Sequence, residues 1–233
     1  MSDCEACLVR NRAICSALSP DELGALSKLG RKQLVSRGQT LVWEGDEALV
    51  VANVIQGVLK LSVSTADGRE QIVGVVFPSD FIGRPFGKES PYGVTALTDA
   101  EVCIFTRAAF DGFAKDHPEL QHKLLQRTLD ELDRARQWMM LLGRKTASER
   151  IATLLLEISN RLGSTSCAAF APFLDEFDLP MDRQQMGDVL GLTIETVSRQ
   201  LTKLKDAGMI ELPDRRRVVI KSRQRLEQLA TAA

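Results

Sequence analysis

The chain has 233 residues, 44% of them apolar and 26% charged, and a formal net charge of −1. That length and apolar content suit a well-buried core in one large domain or two small ones. They do not suit a transmembrane chain, because no run of about eighteen apolar residues occurs. With net charge near zero, any attraction for nucleic acid has to come from a local basic field.

Three of the five cysteines fall within the first fifteen residues, as Cys4-x-x-Cys7 followed by Cys15. Asp3, Glu5, Arg10 and Arg12 interrupt the stretch where a secretory signal needs an apolar run, so a cytoplasmic protein is expected. Thiols stay reduced there, and clustered cysteines read as metal-binding or redox-active rather than as a disulfide framework. Ser19-Pro20-Asp21-Glu22 has the pattern of a capping box with proline at the first helical position, which predicts a short helix to about Gly30. Segments 40–43, 50–55, 58–63, 71–77 and 102–105 are then rich in β-branched and apolar residues, and Gly38, Gly45, Gly57, Gly68, Gly74 and Gly83 punctuate this stretch. Short strands separated by glycines predict a small antiparallel barrel or sandwich.

Helical periodicity begins near Thr106, and a long helix is predicted from His117-Pro118 to about Leu142. Leu125, Leu132 and Met139 recur every seven residues, with Thr128, Ala135 and Leu142 between them, a coiled-coil seam of about two and a half heptads. So narrow a stripe points to parallel pairing with a second copy. The alternative is packing on the chain's own barrel, which the apolar Trp138 and Leu141 would favour at one end. Thr146-x-x-Glu149 caps a further helix that ends near Gly163, and a polar loop at 164–167 follows.

Asp182 is placed to cap a short helix, Gly191 to end it, Thr193 to cap the next and Gly208 to close that one, before two short strands around Arg215–Arg217. Helix, tight turn, helix and hairpin is the winged helix-turn-helix order. The second helix of such a unit offers its first turns to base edges. Those positions are Glu195, Thr196, Ser198, Arg199 and Gln200, with Arg183 on the preceding helix as a further candidate contact. A carboxylate can accept from cytosine N4, and a guanidinium can pair with guanine O6 and N7. The plainer reading of Glu195 and Arg199 is an i,i+4 surface ion pair. Around them, Arg183, Arg199, Lys203, Lys205, Arg215, Arg216, Arg217, Lys221, Arg223 and Arg225 outnumber Asp188, Glu195, Asp206, Glu211 and Asp214 by ten to five, a local field suited to double-stranded DNA.

The glycine-punctuated strands with FPSDFIG at 77–83, the long helix and GLTIETVSRQLTKLKDAGMI at 191–210 resemble the CRP/FNR superfamily of bacterial transcription regulators over essentially the whole chain, and Glu195-x-x-Ser198-Arg199 resembles its FNR branch. The resemblance implies an α+β protein. It would have an N-terminal antiparallel β-barrel of the cyclic-nucleotide-binding, jelly-roll type, a long dimerisation helix and a C-terminal winged helix-turn-helix. Its divisions would fall at 1–18 for the cysteine arm, 19–116 for the barrel, 117–145 for the helix and 146–233 for the DNA-binding domain. It further implies a homodimer on an inverted repeat with half-sites like TTGAT, Glu195 and Arg199 reading a G·C pair and Ser198 a neighbouring thymine. The turn 66–71 (ADGREQ) resembles a loop that touches RNA polymerase in relatives.

A cubane iron–sulfur cluster needs four thiolates, and Cys4, Cys7 and Cys15 supply three. Cys103 and Cys167 are the candidates for the fourth. Cys103 is preferred because a ligand beside the long helix would couple the site to dimer packing, and the resemblance likewise implies three N-terminal cysteines plus one in the barrel around an oxygen-labile [4Fe-4S] cluster. Taken alone, Cys103 would read as a small buried apolar residue and Cys167 as an idle thiol. A four-cysteine zinc site and a thiol switch remain as other readings of the cysteines. A cyclic nucleotide in the barrel is a third, but 83–99 lacks the Gly-Glu and Arg-Ser elements of the nucleotide-binding branch, leaving only Arg84 and Lys88 to meet a phosphate. With His117 and His122 as the only histidines and no nucleophile–base pattern, no enzyme is expected.

Overall fold

In the computed structural model, eight short strands, β1 (Gly30–Val35), β2 (Thr40–Val42), β3 (Val50–Gln56), β4 (Leu59–Ser64), β5 (Glu70–Val76), β6 (Phe81–Gly83), β7 (Gly93–Ala96) and β8 (Ala100–Thr106), follow an N-terminal helical segment. The structure describes Cys4, residues 6–163 and residues 173–231, so the loop at 164–167 with Cys167 lies outside the described residues. The chain divides into two compact units, Met1–Leu132 and Asp133–Ala233.

In the first unit the strands form two four-stranded sheets, β1-β8-β3-β6 and β2-β7-β4-β5, with every pairing antiparallel. Ala52, Val54, Val102 and Ile104 of one sheet meet Leu59, Val76, Val94 and Ala96 of the other in a single buried core. This is the jelly-roll-like barrel that the glycine-punctuated strands predict. The sheet β1-β8-β3-β6 is also covered on its outer face. Val51 and Phe105 belong to a second cluster there, with Ile14, Leu18, Leu23, Leu26, Phe110 and Leu120. Burial on both faces explains why β3 reads Val-Val-Ala-Asn-Val-Ile without polar alternation.

The outer cover is helical. Helix α1 (Pro20–Ser27) has the expected capping box: the Glu22 N–H donates to Ser19 Oγ at 3.4 Å, and the Ser19 N–H to the Glu22 carboxylate at 2.8 Å. It stops before Gly30, which instead opens β1 opposite Phe105, where a Cβ would lie 2.3 Å from the ring. Strand β1 is not foreseen from sequence, because Arg31, Lys32 and Gln33 mask it and only Val35 is fully buried. Strand β7, four residues long, also goes unforeseen, whereas the three-residue β6 falls within the FPSDFIG segment. Helix α2 (Arg107–Lys115) is capped by Thr106, and α3 (Pro118–Arg144) follows.

The second unit contains α4 (Ala147–Gly163), β9 (Glu176–Asp178), α5 (Arg183–Leu190), α6 (Ile194–Asp206), β10 (Ile210–Glu211), β11 (Arg217–Ile220) and α7 (Arg223–Thr231). The expected hairpin is β10–β11. β9 adds a third strand to it, in the order β10-β11-β9, and α7 adds a final helix; neither is legible in the sequence. Asp182 caps α5 through a capping box with Gln185, and Gly191 ends it in the left-handed region at φ 62°. The tight turn also requires Gly187, whose Cβ would lie 2.4 Å from the Leu192 carbonyl oxygen. Backbone cannot yield as a flexible side chain can, so this position excludes any side chain.

A matched pair of substitutions checks this. In helix α1 nothing lies within 4 Å of a Cβ at Gly24, so Gly24→Ala is expected to stabilise by about 0.5–1 kcal/mol through helix propensity. Gly187→Ala is expected to destabilise by roughly 1–3 kcal/mol through overpacking. Urea unfolding of the two variants measures both, and equal effects would refute the account of the turn.

Candidate metal centre and nucleic-acid interface

Strand alternation decides where Cys103 points. In β8, Val102 and Ile104 enter the barrel core, whereas Cys103 and Phe105 face outward, toward the N-terminal segment. That segment folds over the same sheet. Val9, Ala13 and Ile14 are buried, and successive turns bond the Cys7 N–H to the Cys4 carbonyl at 3.4 Å, the Arg10 N–H to the Cys7 carbonyl at 3.2 Å and the Ala13 N–H to the Val9 carbonyl at 2.8 Å. Cys15 sits in a 3-10 turn, Ile14–Ala17.

The result is a cavity of about 100 Å³ lined by Cys4, Cys7, Cys15 and Cys103, with Val9, Ala13, Asn53 and Ile55 as its buried wall and Arg10, Arg31 and Lys32 as a cationic edge. None of the four cysteines is in a disulfide. Burial, and then the neighbouring Cys4 and Cys7, push the Cys15 thiol up to about 12. Burial likewise pushes Cys103 up to about 12, reinforced by the other three cysteines and opposed by Lys32. Metal binding at Cys15 and Cys103 would therefore have to displace a proton from each thiol. Among the described residues, no group of three or more His, Cys, Asp or Glu side chains is arranged to hold a metal ion. A cubane spreads its ligands more widely, because each thiolate binds a different iron.

The cavity shares its apolar surroundings with the start of the long helix. Cys4, Cys15 and Cys103 pack against the cluster that contains Leu120, with Leu124 also against it. The Arg127 guanidinium donates to the Arg12 carbonyl, within the segment joining Cys7 to Cys15. On α3 the expected seam is open in the single chain, with Leu125 55%, Leu132 43% and Met139 74% exposed, and Leu129 and Ala135 exposed beside them. Leu142 is half-buried, and Leu141 is buried.

In the second unit, Thr193 caps α6 by accepting the Thr196 N–H at 3.3 Å. Glu195, in the first turn, is fully exposed, and a hydrogen bond from its own backbone N–H, together with Thr193, holds its carboxyl below the usual range. It is therefore an ionised acceptor facing solvent. Arg199 is exposed and donates to Thr196 Oγ1 at 3.2 Å. Among the described residues no ion pair joins it to Glu195, so the simple surface-pair reading does not hold. Arg183 donates to Ser198 Oγ at 3.1 Å, bringing the first turn of α5 against the start of α6.

Gln200 is a correction. It is 7% exposed and faces inward with Val197, Leu201 and Leu204, where its Oε1 accepts the Ser148 hydroxyl at 2.6 Å. Helical spacing puts residue 200 on the same face as 197 and 204, so it locks α6 to α4 and does not reach DNA. The basic field is also smaller than the count of charges suggests. Arg217 is paired with Glu176, Lys221 with Glu211 at 3.2 Å and Arg223 with Asp175 at 3.0 Å. Arg223 also lies 3.7 Å over the Phe173 ring, with its side chain only 15% exposed, and is a fold residue. Arg215 stays exposed in the hairpin turn, where Asp214 accepts the N–H groups of Arg216 and Arg217, each at 2.7 Å.

Arg84 and Lys88, the candidate phosphate contacts of the barrel, are both solvent-exposed. The hairpin turn following β4 is exposed and fixed by Asp67, which bonds Thr65 and Arg69, but Glu70 and Gln71 belong to β5, and Glu70 is tied to the buried Lys60 at 2.5 Å. No helix among the described residues is long and apolar enough to cross a membrane.

A family model described as a Crp-like helix-turn-helix domain matches residues 149–229, and one described as a cyclic nucleotide-binding domain matches residues 32–117. The transcriptional activator protein FnrL of Cereibacter sphaeroides is 43% identical over 224 residues, covering 96% of this chain and 90% of that protein. The nitrogen fixation regulation protein FixK of Bradyrhizobium diazoefficiens is 39% identical over 209 residues, covering 90% and 86%. The solved structure of FixK2 from Bradyrhizobium japonicum matches with a TM-score of 0.79 at 34% identity, covering 88% of this chain and 98% of that one. Its relatives are transcription regulators, not enzymes. A barrel and a helix-turn-helix in this order, with such identity over nearly the whole length, show that the chain belongs to the CRP/FNR family of DNA-binding transcription regulators, in its FNR branch.

Proposed function

We propose that the protein is a cytoplasmic, oxygen-responsive transcription activator that binds an inverted-repeat DNA site as a homodimer while Cys4, Cys7, Cys15 and Cys103 hold a [4Fe-4S] cluster. The observation that carries the reading is that Cys103, about ninety residues from the other three in sequence, lines one mostly apolar cavity with Cys4, Cys7 and Cys15, beside a cationic edge. The donor set suits iron–sulfur chemistry: four soft thiolates, with basic side chains near enough to offset the negative charge that they and the cluster would carry. When bound, the cluster supplies an oxygen-labile tie among the four thiolates.

The chain's own residues supply the rest. With Cys4, Cys7 and Cys15 drawn toward Cys103, the N-terminal segment is held against the sheet, and the Arg12 carbonyl stays in reach of Arg127 on α3. The open stripe on α3 then meets the same stripe of a second copy, and each half-exposed leucine contributes roughly 1 kcal/mol by leaving water. A two-fold dimer would present its recognition helices about 34 Å apart, as an inverted repeat requires. Arg199 would donate to guanine, and ionised Glu195 would accept from cytosine N4. Arg215 would set register on phosphates. The exposed turn after β4 is the surface we assign to RNA polymerase.

Three measurements test this reading. Protein purified without oxygen should contain about four irons and four sulfides per chain, with visible absorbance that bleaches in air; colourless protein with stoichiometric zinc would sink the cluster. Arg199→Ala should lose about 1–3 kcal/mol of discrimination at one base pair of each half-site, whereas Arg215→Ala should weaken all sequences alike and reduce the salt slope by about one per half-site; the same base preference in Arg199→Ala as in the native protein would refute its role. Leu132→Glu should leave a monomer by sedimentation, and an intact dimer would remove the α3 stripe from the interface.

A further inference from the structure

Asn53 is out of character with its strand. In β3 its neighbours Val51, Ala52, Val54 and Ile55 are at most 5% exposed, and Asn53 itself is 2% exposed. Its register partner across the sheet is Cys103. Its Nδ2 donates to Cys15 Sγ at 3.5 Å, while Oδ1, equally buried, has no hydrogen-bond partner among the described residues. A buried amide satisfied on one side only costs stability that a leucine of similar size would not. The core therefore gives no reason for an asparagine here, and the cysteine cavity that it lines does.

We infer that Asn53 is a positioning residue for the cluster: its amide N–H holds the Cys15 sulfur toward the sheet beside Cys103 and withdraws charge from that sulfur. The inference rests on the cluster reading above. A thiol can donate or accept, so in the metal-free protein the amide could face Cys15 with either end. A metal-bound sulfur can only accept, which leaves Nδ2 as the one productive orientation. Hydrogen bonds to cluster sulfurs favour the more negative, reduced state, so this donor should raise the reduction potential. It should also strengthen retention of the metal, as groups that orient ligands generally do.

The test uses the full-length protein, reconstituted without oxygen, with Asn53→Leu and Asn53→Val, both apolar and both without the donor. We expect both variants to load iron, to show a lower cluster reduction potential than the native protein and to release iron at a roughly tenfold lower chelator concentration. The shift of an iron–thiolate stretching band on transfer to D₂O should shrink in both, which a purely structural role would not cause. If both variants load iron with the native potential and band shift, the inference is overturned and the cluster reading stands. Native protein that takes up no iron overturns the cluster reading and this inference with it. If Asn53→Leu does not fold, Asn53→Val decides; failure of both would make Asn53 a structural residue and overturn the inference.

Discussion

Burial of one sheet on both faces is the constraint from which the candidate sensing site follows. Strands β3 and β8 give alternate residues to the barrel core and the others to the layer formed by the N-terminal segment, α1, α2 and the start of α3. A strand has a period of two, so this parity fixes the identity of the outward set: Val51, Asn53 and Ile55 on β3, Cys103 and Phe105 on β8. Cys103 faces the other three cysteines because it is the odd neighbour of Val102 and Ile104. A slip of one residue in β8 would turn it into the core and dismantle the site.

The same layer joins the cysteines to α3. Leu120 and Leu124 pack where Cys4, Cys15 and Cys103 pack, and Arg127 bonds the carbonyl of Arg12. Anything that moves the N-terminal segment therefore moves the contacts that seat the first turns of α3, and the exposed stripe begins at Leu125, between Leu124 and Arg127. In the second unit the elements held rigidly are those around the start of α6, for which we propose base recognition. Gly187, Gly191 and the Ser148–Gln200 bond fix α5, α6 and α4 to one another, so that Glu195 and Arg199 are presented without first having to be ordered.

Much of this was legible in the sequence, for identifiable reasons. The capping box at Ser19, the cap at Asp182 and the glycine at 191 act within a few residues of themselves, so their reading survives any tertiary context. The strands with continuous apolar runs were equally plain. β1 was hidden because its side chains Arg31, Lys32 and Gln33 remain largely outside the core, and Gly30 was misread as a helix stop because its contact with Phe105 spans 75 positions in sequence. Gln200 looked like a base reader by its position in the motif, and only helical phase against α4 turns it inward. The neutralised arginines, above all Arg223 on Phe173, show that a count of charges cannot tell a DNA-facing cation from one spent on the fold. Asn53 gave no signal at all, since an isolated asparagine in an apolar strand acquires meaning only beside Cys15 and Cys103.

The central claim is that the four cysteines and the α3 stripe are parts of one coupled device. Coupling of only 1.4 kcal/mol corresponds to about a tenfold change in dimer affinity, well within what a rearranged N-terminal segment can deliver. Sedimentation of the oxygen-free, iron-loaded protein against the same sample after exposure to air measures it directly. The account predicts dimer dissociation at least about tenfold weaker in the loaded sample than in the exposed one; equal dissociation constants in the two samples would contradict it.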